Sequence, residues 1–139
     1  MLLVEAGINS SSIHGLGLIA REAIPKGTAV SRFAPGLDLA LSQTELDALP
    51  AAARRTYRYY SFRHVHSENY VLSFDDDRFM NHANDPNTDG RKALREIAPG
   101  DELTSDYRMW DLDCEWKLAA TPGSFARSLR GDDPAARLA

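Results

Sequence analysis

The sequence predicts a mainly β domain of several small sheets with one short helical insert. Three observations carry this. Short runs rich in β-branched and aromatic residues recur, as at Tyr70-Val71-Leu72-Ser73-Phe74. Proline–glycine turn signals separate them at Pro25-Lys26-Gly27, Pro35-Gly36 and Pro99-Gly100. Proline presets φ at such turns and glycine accepts a positive φ. The main helical signal is confined to the stretch from Ser42 toward Tyr60, so the strand–helix alternation of a βαβ fold is missing.

Taken in order, Leu18-Ile19-Ala20-Arg21 reads as a strand, and the Pro25-Lys26-Gly27 turn follows it. Thr28 to Phe33 reads as a second strand, ended by Pro35-Gly36. Ser42-Gln43-Thr44-Glu45 matches a capping box, in which the serine hydroxyl accepts from the backbone three residues on and the glutamate reaches back. The helix is expected to restart after Pro50 and run through Ala51–Arg55 toward Tyr60. Tyr70–Phe74 is a strand stopped by Asp75, Asp76 and Asp77. Ala93–Ile97 and Leu103–Ser105 are further strands, separated by the turn Ala98-Pro99-Gly100-Asp101, and Asp111–Ala120 is a short helix. From Thr121 large apolar residues become sparse. Residues 1–120 are therefore expected as the folded domain and 121–139 as a loosely ordered tail.

Length supports one domain, since 139 residues can bury a single core. The net charge of −4 is uneven: residues 1–70 carry seven basic and six acidic side chains, residues 71–139 nine and fourteen. An acidic second half disfavours nucleic acid, which needs a basic face. It fits a basic partner such as a lysine-bearing segment, or simply keeps the protein soluble. No apolar run approaches the roughly 20 residues of a membrane helix. The amino terminus shows no signal-peptide pattern, so a cytoplasmic location and no membrane partner are expected. Cys114 is the only cysteine and cannot form an internal disulfide or a zinc site alone. His64 and His66, on one face of a strand, could join His82 and nearby aspartates around a metal. No fixed ligand spacing supports this, and no metal is expected.

Three motifs occur in order. The first is His14-Gly15-Leu16-Gly17-Leu18. The second is Arg78-Phe79-Met80-Asn81-His82-Ala83-Asn84-Asp85-Pro86-Asn87. The third is Gly100-Asp101-Glu102-Leu103-Thr104-Ser105-Asp106-Tyr107. Each alone reads as a turn, a cap or a strand edge. Together, over roughly residues 10–112, they resemble the SET-domain family of protein-lysine methyltransferases. The resemblance implies a β-clip-like fold of small sheets with a C-terminal pseudoknot. That threading would bring Asn81-His82 beside Tyr107.

The resemblance also implies S-adenosylmethionine as methyl donor and a lysine-bearing protein as substrate. The donor is a sulfonium with an amine and a carboxylate at one end. His14, Gly15, Leu16, Gly17, Asn81 and His82 would hold it, the glycines letting backbone approach without an intervening Cβ. Arg78 could face its carboxylate or could pair with the adjacent aspartates. Tyr107 is the implied catalytic residue, at the meeting point of amine and methyl, and borders the donor. Attack needs a neutral amine, and at pH 7 only about 0.04% of free lysine is neutral. An apolar channel and a neighbouring sulfonium both favour that form. Trp110 and Trp116 could cover the adenine or the lysine stem, or could be core residues.

Several features depart from the family pattern. Ala83 stands where serine is common, the stretch between Asn87 and Ile97 is short, and no cysteine-rich module follows the last motif. A non-catalytic binding module that keeps the cofactor pocket is therefore the alternative function, and a metal-dependent hydrolase a remote third.

Overall fold

The computed structural model describes residues 1–119, and the expected tail lies outside them. In chain order the elements are β1 (Ala6–Ser10), β2 (Leu16–Ala20), β3 (Leu39–Leu41), α1 (Gln43–Asp47), α2 (Ala51–Tyr60), β4 (Phe62–Arg63), β5 (Tyr70–Leu72), β6 (Asn81–His82), β7 (Glu102–Ser105) and α3 (Cys114–Leu118). One sheet has the order β1-β2-β7-β6, with β6 parallel to β7 and the other pairs antiparallel. A second, antiparallel sheet has the order β3-β5-β4. No helix among the described residues is long and apolar enough to cross a membrane.

The β1–β2 hairpin pairs Ala6 with Ala20 through to Ser10 with Leu16. Its loop closes with a 2.9 Å bond from the Ser11 N–H to the Gly15 carbonyl, and Gly15 takes φ +50°, a conformation in which a Cβ is strained. Leu18 faces Leu103 across the β2–β7 register, and both are fully buried. They join Ala20, Ile24, Val30, Met80, Ala93 and Ile97 in the main core. Each such aliphatic side chain contributes about 2 kcal/mol of transfer free energy. A smaller core of Leu46, Tyr57 and Tyr70 sits where the helical insert meets the second sheet. The Tyr57 hydroxyl donates to the Tyr70 carbonyl at 3.0 Å, so its polar end is satisfied there. The capping box forms as the sequence indicates: Ser42 Oγ accepts from Glu45 N at 3.3 Å and Glu45 Oε2 from Ser42 N at 2.8 Å.

Three expected elements differ. Thr28–Phe33 and Ala93–Ile97 are not continuous strands. They make single bridges: Leu2 with Ser31, Ala29 with Lys92, Ile24 with Ile97 and Thr88 with Ala93. Gly27, Gly90 and Gly100 take φ near +90° beside these segments, which turns the backbone away before a ladder can extend. Val30, Ala93 and Ile97 still reach the core, so burial survives where regular pairing does not. The last helix is only Cys114–Leu118, because Asp111 bridges His64 and its Oδ1 accepts from the Arg63 and Asp113 N–H groups.

The last described segment is held by three earlier parts of the chain. β7 runs between β2 and β6. The Asn87 side chain donates to the Glu102 carbonyl and accepts from the Thr104 N–H, both at 2.8 Å, extending the sheet edge with a side chain. Beyond β7, Leu112 N donates to Arg63 O at 2.8 Å and Val65 N to Trp110 O at 3.2 Å. Lys117 Nζ then closes the arrangement, 2.5 Å from both Ser61 O and the buried Asp111 carboxylate.

Candidate functional site

Asn81 is the hub of the first half of the site. Its Nδ2 lies 3.1 Å from His14 O, 3.0 Å from Leu16 O, 2.8 Å from Glu102 Oε1 and 3.2 Å from Ser11 Oγ. All these neighbours can accept, which orients the amide with nitrogen inward. Its Oδ1 is left without a hydrogen-bond partner among the described residues. Ser11 Oγ in turn donates to the Glu102 carboxylate and accepts from the Ile13 and His14 N–H groups. The glycine loop is thus bound to the Asn-His segment and to β7 by one polar network.

Gly17 has a reason that the sequence alone does not show. A Cβ there would collide with the Glu102 carboxylate, whose Cδ lies 2.6 Å from the ideal position. The missing side chain makes room for an internal carboxylate. At Gly15 a Cβ would meet nothing within 4 Å, so the backbone there faces open space.

Tyr107 joins this network to a cavity. Its N–H donates to His82 Nδ1 at 3.2 Å, and the two rings lie 5.5 Å apart. With Nδ1 accepting, the His82 proton sits on Nε2, 3.3 Å from Asn84 Oδ1. The Tyr107 hydroxyl donates to Met80 O at 2.6 Å. Burial, followed by the charges of Asp111 and other anions, pushes the phenol pKa well above its ordinary value. The hydroxyl therefore stays protonated across physiological pH.

The cavity on the far side of Tyr107 has a volume of about 400 Å³. Its aromatic walls include Tyr59, Tyr60, Phe62, Trp110 and Tyr107. Trp110 packs edge-on against Phe62 at 4.8 Å and Tyr107 at 5.1 Å. Two polar atoms on its walls, Ser61 Oγ and Trp110 Nε1, are buried without a hydrogen-bond partner among the described residues. Arg78 also borders it, with its guanidinium over Tyr60 at 5.5 Å and Phe79 at 5.3 Å. Its pairing with Asp75–Asp77, an alternative in the sequence, does not occur among the described residues.

The predicted residues therefore fall into two groups that meet at Tyr107. His14, Leu16 and Asn81 are linked by direct bonds, with Gly15 and Gly17 in the same loop and His82 bonded to Tyr107. Arg78 and Trp110 border the cavity instead. Sequence reasoning missed Ser11 and the Glu102 carboxylate: a serine run looks like any turn, and Glu102 stood inside a motif without a partner in view. It also missed Tyr59, Tyr60 and Phe62, whose clustering at the end of α2 was the available signal. Trp116 lies outside the cavity wall, with Arg58 5.3 Å from its ring centroid. Among the described residues, no three His, Cys, Asp or Glu side chains gather in a metal-binding arrangement. His64 and His66 lie ring to ring at 5.4 Å, and His82 instead faces Tyr107.

A methyl donor can be tested against these residues. Asn81 Oδ1 is an acceptor without a partner among the described residues, and the Gly15 backbone in the same loop is open. Both fit a ligand carrying an ammonium.

Comparison with known proteins agrees with this geometry. Residues 15–108 match the family model described as SET domain. No curated protein matches the chain. One similar solved structure is a candidate histone methyltransferase of Plasmodium falciparum, 18% identical, TM-score 0.53, with 76% of this chain and 95% of that one covered. Another is a humanized mutant of Chaetomium thermophilum Polycomb Repressive Complex 2 bound to an inhibitor. It is 24% identical, with a TM-score of 0.52, and 75% of this chain aligns with 15% of that one. Those likenesses carry the fold, and the family match spans all three motifs, from Gly15 to Tyr107: the chain belongs to the SET-domain family.

Proposed function

We propose that this protein is a protein-lysine N-methyltransferase that uses S-adenosylmethionine, with residues 1–120 as the catalytic domain and the cytoplasm as its location. The observation that carries the reading is the position of Tyr107 between an aromatic cavity and the Asn81–glycine-loop network. When bound, S-adenosylmethionine supplies an electrophilic methyl group on a sulfonium. The main chain of His14–Gly17, Asn81 Oδ1 and the His82 segment are the groups of this chain that would hold it.

The cavity takes the lysine side chain. Its aromatic faces pack on the aliphatic stem and attract the cationic end before deprotonation. Tyr107 Oη donates its proton to Met80 O, so its lone pairs are free to accept from the amine N–H. This fixes the approach of the nitrogen for in-line attack. Burial and neighbouring charges raise the phenol pKa, so in this reading Tyr107 acts as the neutral phenol that orients the amine. The ammonium proton leaves to water, and burial in the aromatic cavity favours the neutral amine.

The test is incubation of the purified protein with S-adenosylmethionine and a panel of lysine-rich proteins, read by intact and peptide mass spectrometry. Gain of one methyl mass, or a multiple, on a lysine is expected. Cofactor binding by calorimetry without transfer to any substrate would instead favour a non-catalytic module, and absence of cofactor binding would overturn both.

A further inference from the structure

We infer that the mouth of the aromatic cavity selects lysines flanked by acidic residues, with Arg91 as the main specificity-determining side chain. The inference rests on the cavity being the lysine channel. Among the described residues, three exposed arginines, Arg32, Arg78 and Arg91, border the cavity, against one exposed acidic side chain, Asp89. The remaining acidic side chains on the wall are turned to internal tasks. Asp38 is buried and accepts from Ala34 N at 2.7 Å and Phe74 N at 3.1 Å, and Asp77 accepts from Ser73 Oγ at 3.2 Å. Asp89 Oδ1 is itself engaged, accepting from Arg91 N at 2.9 Å and Lys92 N at 2.8 Å.

Arg91 differs from an ordinary surface arginine in its backbone. Its carbonyl accepts from Val30 N at 2.7 Å and Ser31 N at 3.2 Å, while Gly90 O accepts from Ser31 Oγ at 3.0 Å. Gly90, at φ +89°, lies close under Trp110, where an added Cβ would come within 3.2 Å of Nε1. The turn that carries Arg91 is thus pinned between the main core and the cavity wall. The guanidiniums of Arg32 and Arg91 have no ion pair or hydrogen-bond partner among the described residues. Arg91 also makes itself felt at His64, which lines the same cavity: burial, His66 and then Arg91 all hold the His64 pKa below its ordinary value. His64 is therefore mostly neutral near neutral pH and does not compete for the anion.

Net charge reads the other way. The acidic second half fits a basic partner, yet the field at the mouth is local and positive. Charges beyond about 10 Å are screened at ordinary ionic strength, so the rim outweighs the global balance for a bound peptide.

The experiment uses two peptides with one central lysine and identical apolar residues, one flanked by aspartates and glutamates, the other by arginines. Binding is measured by fluorescence anisotropy and methyl transfer by mass spectrometry, for wild type, Arg91→Lys and Arg91→Glu. The acidic peptide is expected to bind at least tenfold more tightly, with the difference in KM rather than kcat and shrinking in high salt. Arg91→Lys should keep the preference and Arg91→Glu should abolish or invert it. Equal binding of both peptides, or a preference for the arginine-flanked one, overturns the inference. Binding with the expected preference but no transfer sustains the rim and overturns the proposed activity instead.

Discussion

The hydroxyl of Tyr107 donates a 2.6 Å hydrogen bond to the backbone carbonyl of Met80, one residue before Asn81. This bond ties the last motif to the second and sets which way the phenol oxygen offers its lone pairs.

Tyr107→Phe is therefore expected to lower methyl transfer at least tenfold, or about 1.4 kcal/mol of transition-state stabilisation. Because Met80 is buried, its carbonyl loses its partner at a cost of about 1 kcal/mol, seen as a modest fall in Tm. Cofactor affinity should change little. The wild-type pH–rate profile should rise into the alkaline range without an inflection from this phenol. Full turnover in Tyr107→Phe would remove the residue from the mechanism.

Asn81→Asp should be far more damaging than its size suggests. It sets a carboxylate beside the Glu102 carboxylate and the His14 and Leu16 carbonyls. Loss of about 2–4 kcal/mol in denaturant unfolding is expected. Asn81→Ala should cost less, since it removes the donor without adding charge. Equal stability of the two variants would contradict the acceptor-lined geometry.

Gly17→Ala should act through Glu102. The new Cβ meets that carboxylate, so the substitution displaces it from Ser11 and Asn81. In a background of Glu102→Ala the same change should be milder, with a coupling of about 1 kcal/mol or more in a double-mutant cycle. Additive effects would point to the ligand-facing reason that the sequence motif suggests.

Lys117→Met should destabilise by about 3 kcal/mol, because it strands the buried Asp111 carboxylate beside the Ser61 carbonyl. Lys117→Met combined with Asp111→Asn, which removes the charge and keeps an Oδ1 acceptor for the Arg63 and Asp113 N–H groups, is expected to recover part of that loss. Both are read by chemical denaturation.

His64 gives a pH dependence whose sign follows from its lowered pKa. Burial, His66 and Arg91 disfavour its charged form in the folded chain. Between that folded value and the unfolded value of about 6.5, the unfolded chain binds more protons. Stability contributed by neutral His64 is therefore lost as pH falls below about 6.5. His64→Gln should show a shallower loss of denaturation midpoint between about pH 7.5 and 5.5 than wild type. Parallel curves would mean that His64 is not protected from protonation.

How much of this was legible in the sequence depended on whether the determinant was local. The capping box of Ser42 and Glu45, the restart of the helix after Pro50 and the short strands at β2, β5 and β7 are set by neighbours a few residues apart, and the sequence determined them. Motif order was enough to nominate Asn81, His82 and Tyr107 together. What only the tertiary structure decided involves partners far apart in the chain. Segments Thr28–Phe33 and Ala93–Ile97 have strand-like composition, yet glycines at positive φ beside them reduce their pairing to single bridges. The carboxylate that a Cβ at Gly17 would meet lies 85 residues later, and Ser11 reaches that same Glu102 across a separation of 91. The aromatic cavity draws on Tyr59, Phe62, Tyr107 and Trp110, which only the fold brings together. The sequence thus determined the local elements and nominated the candidate groups, because composition and spacing record local backbone preference. Their partners, and the direction each hydrogen bond points, required the long-range packing that buries Leu18 against Leu103.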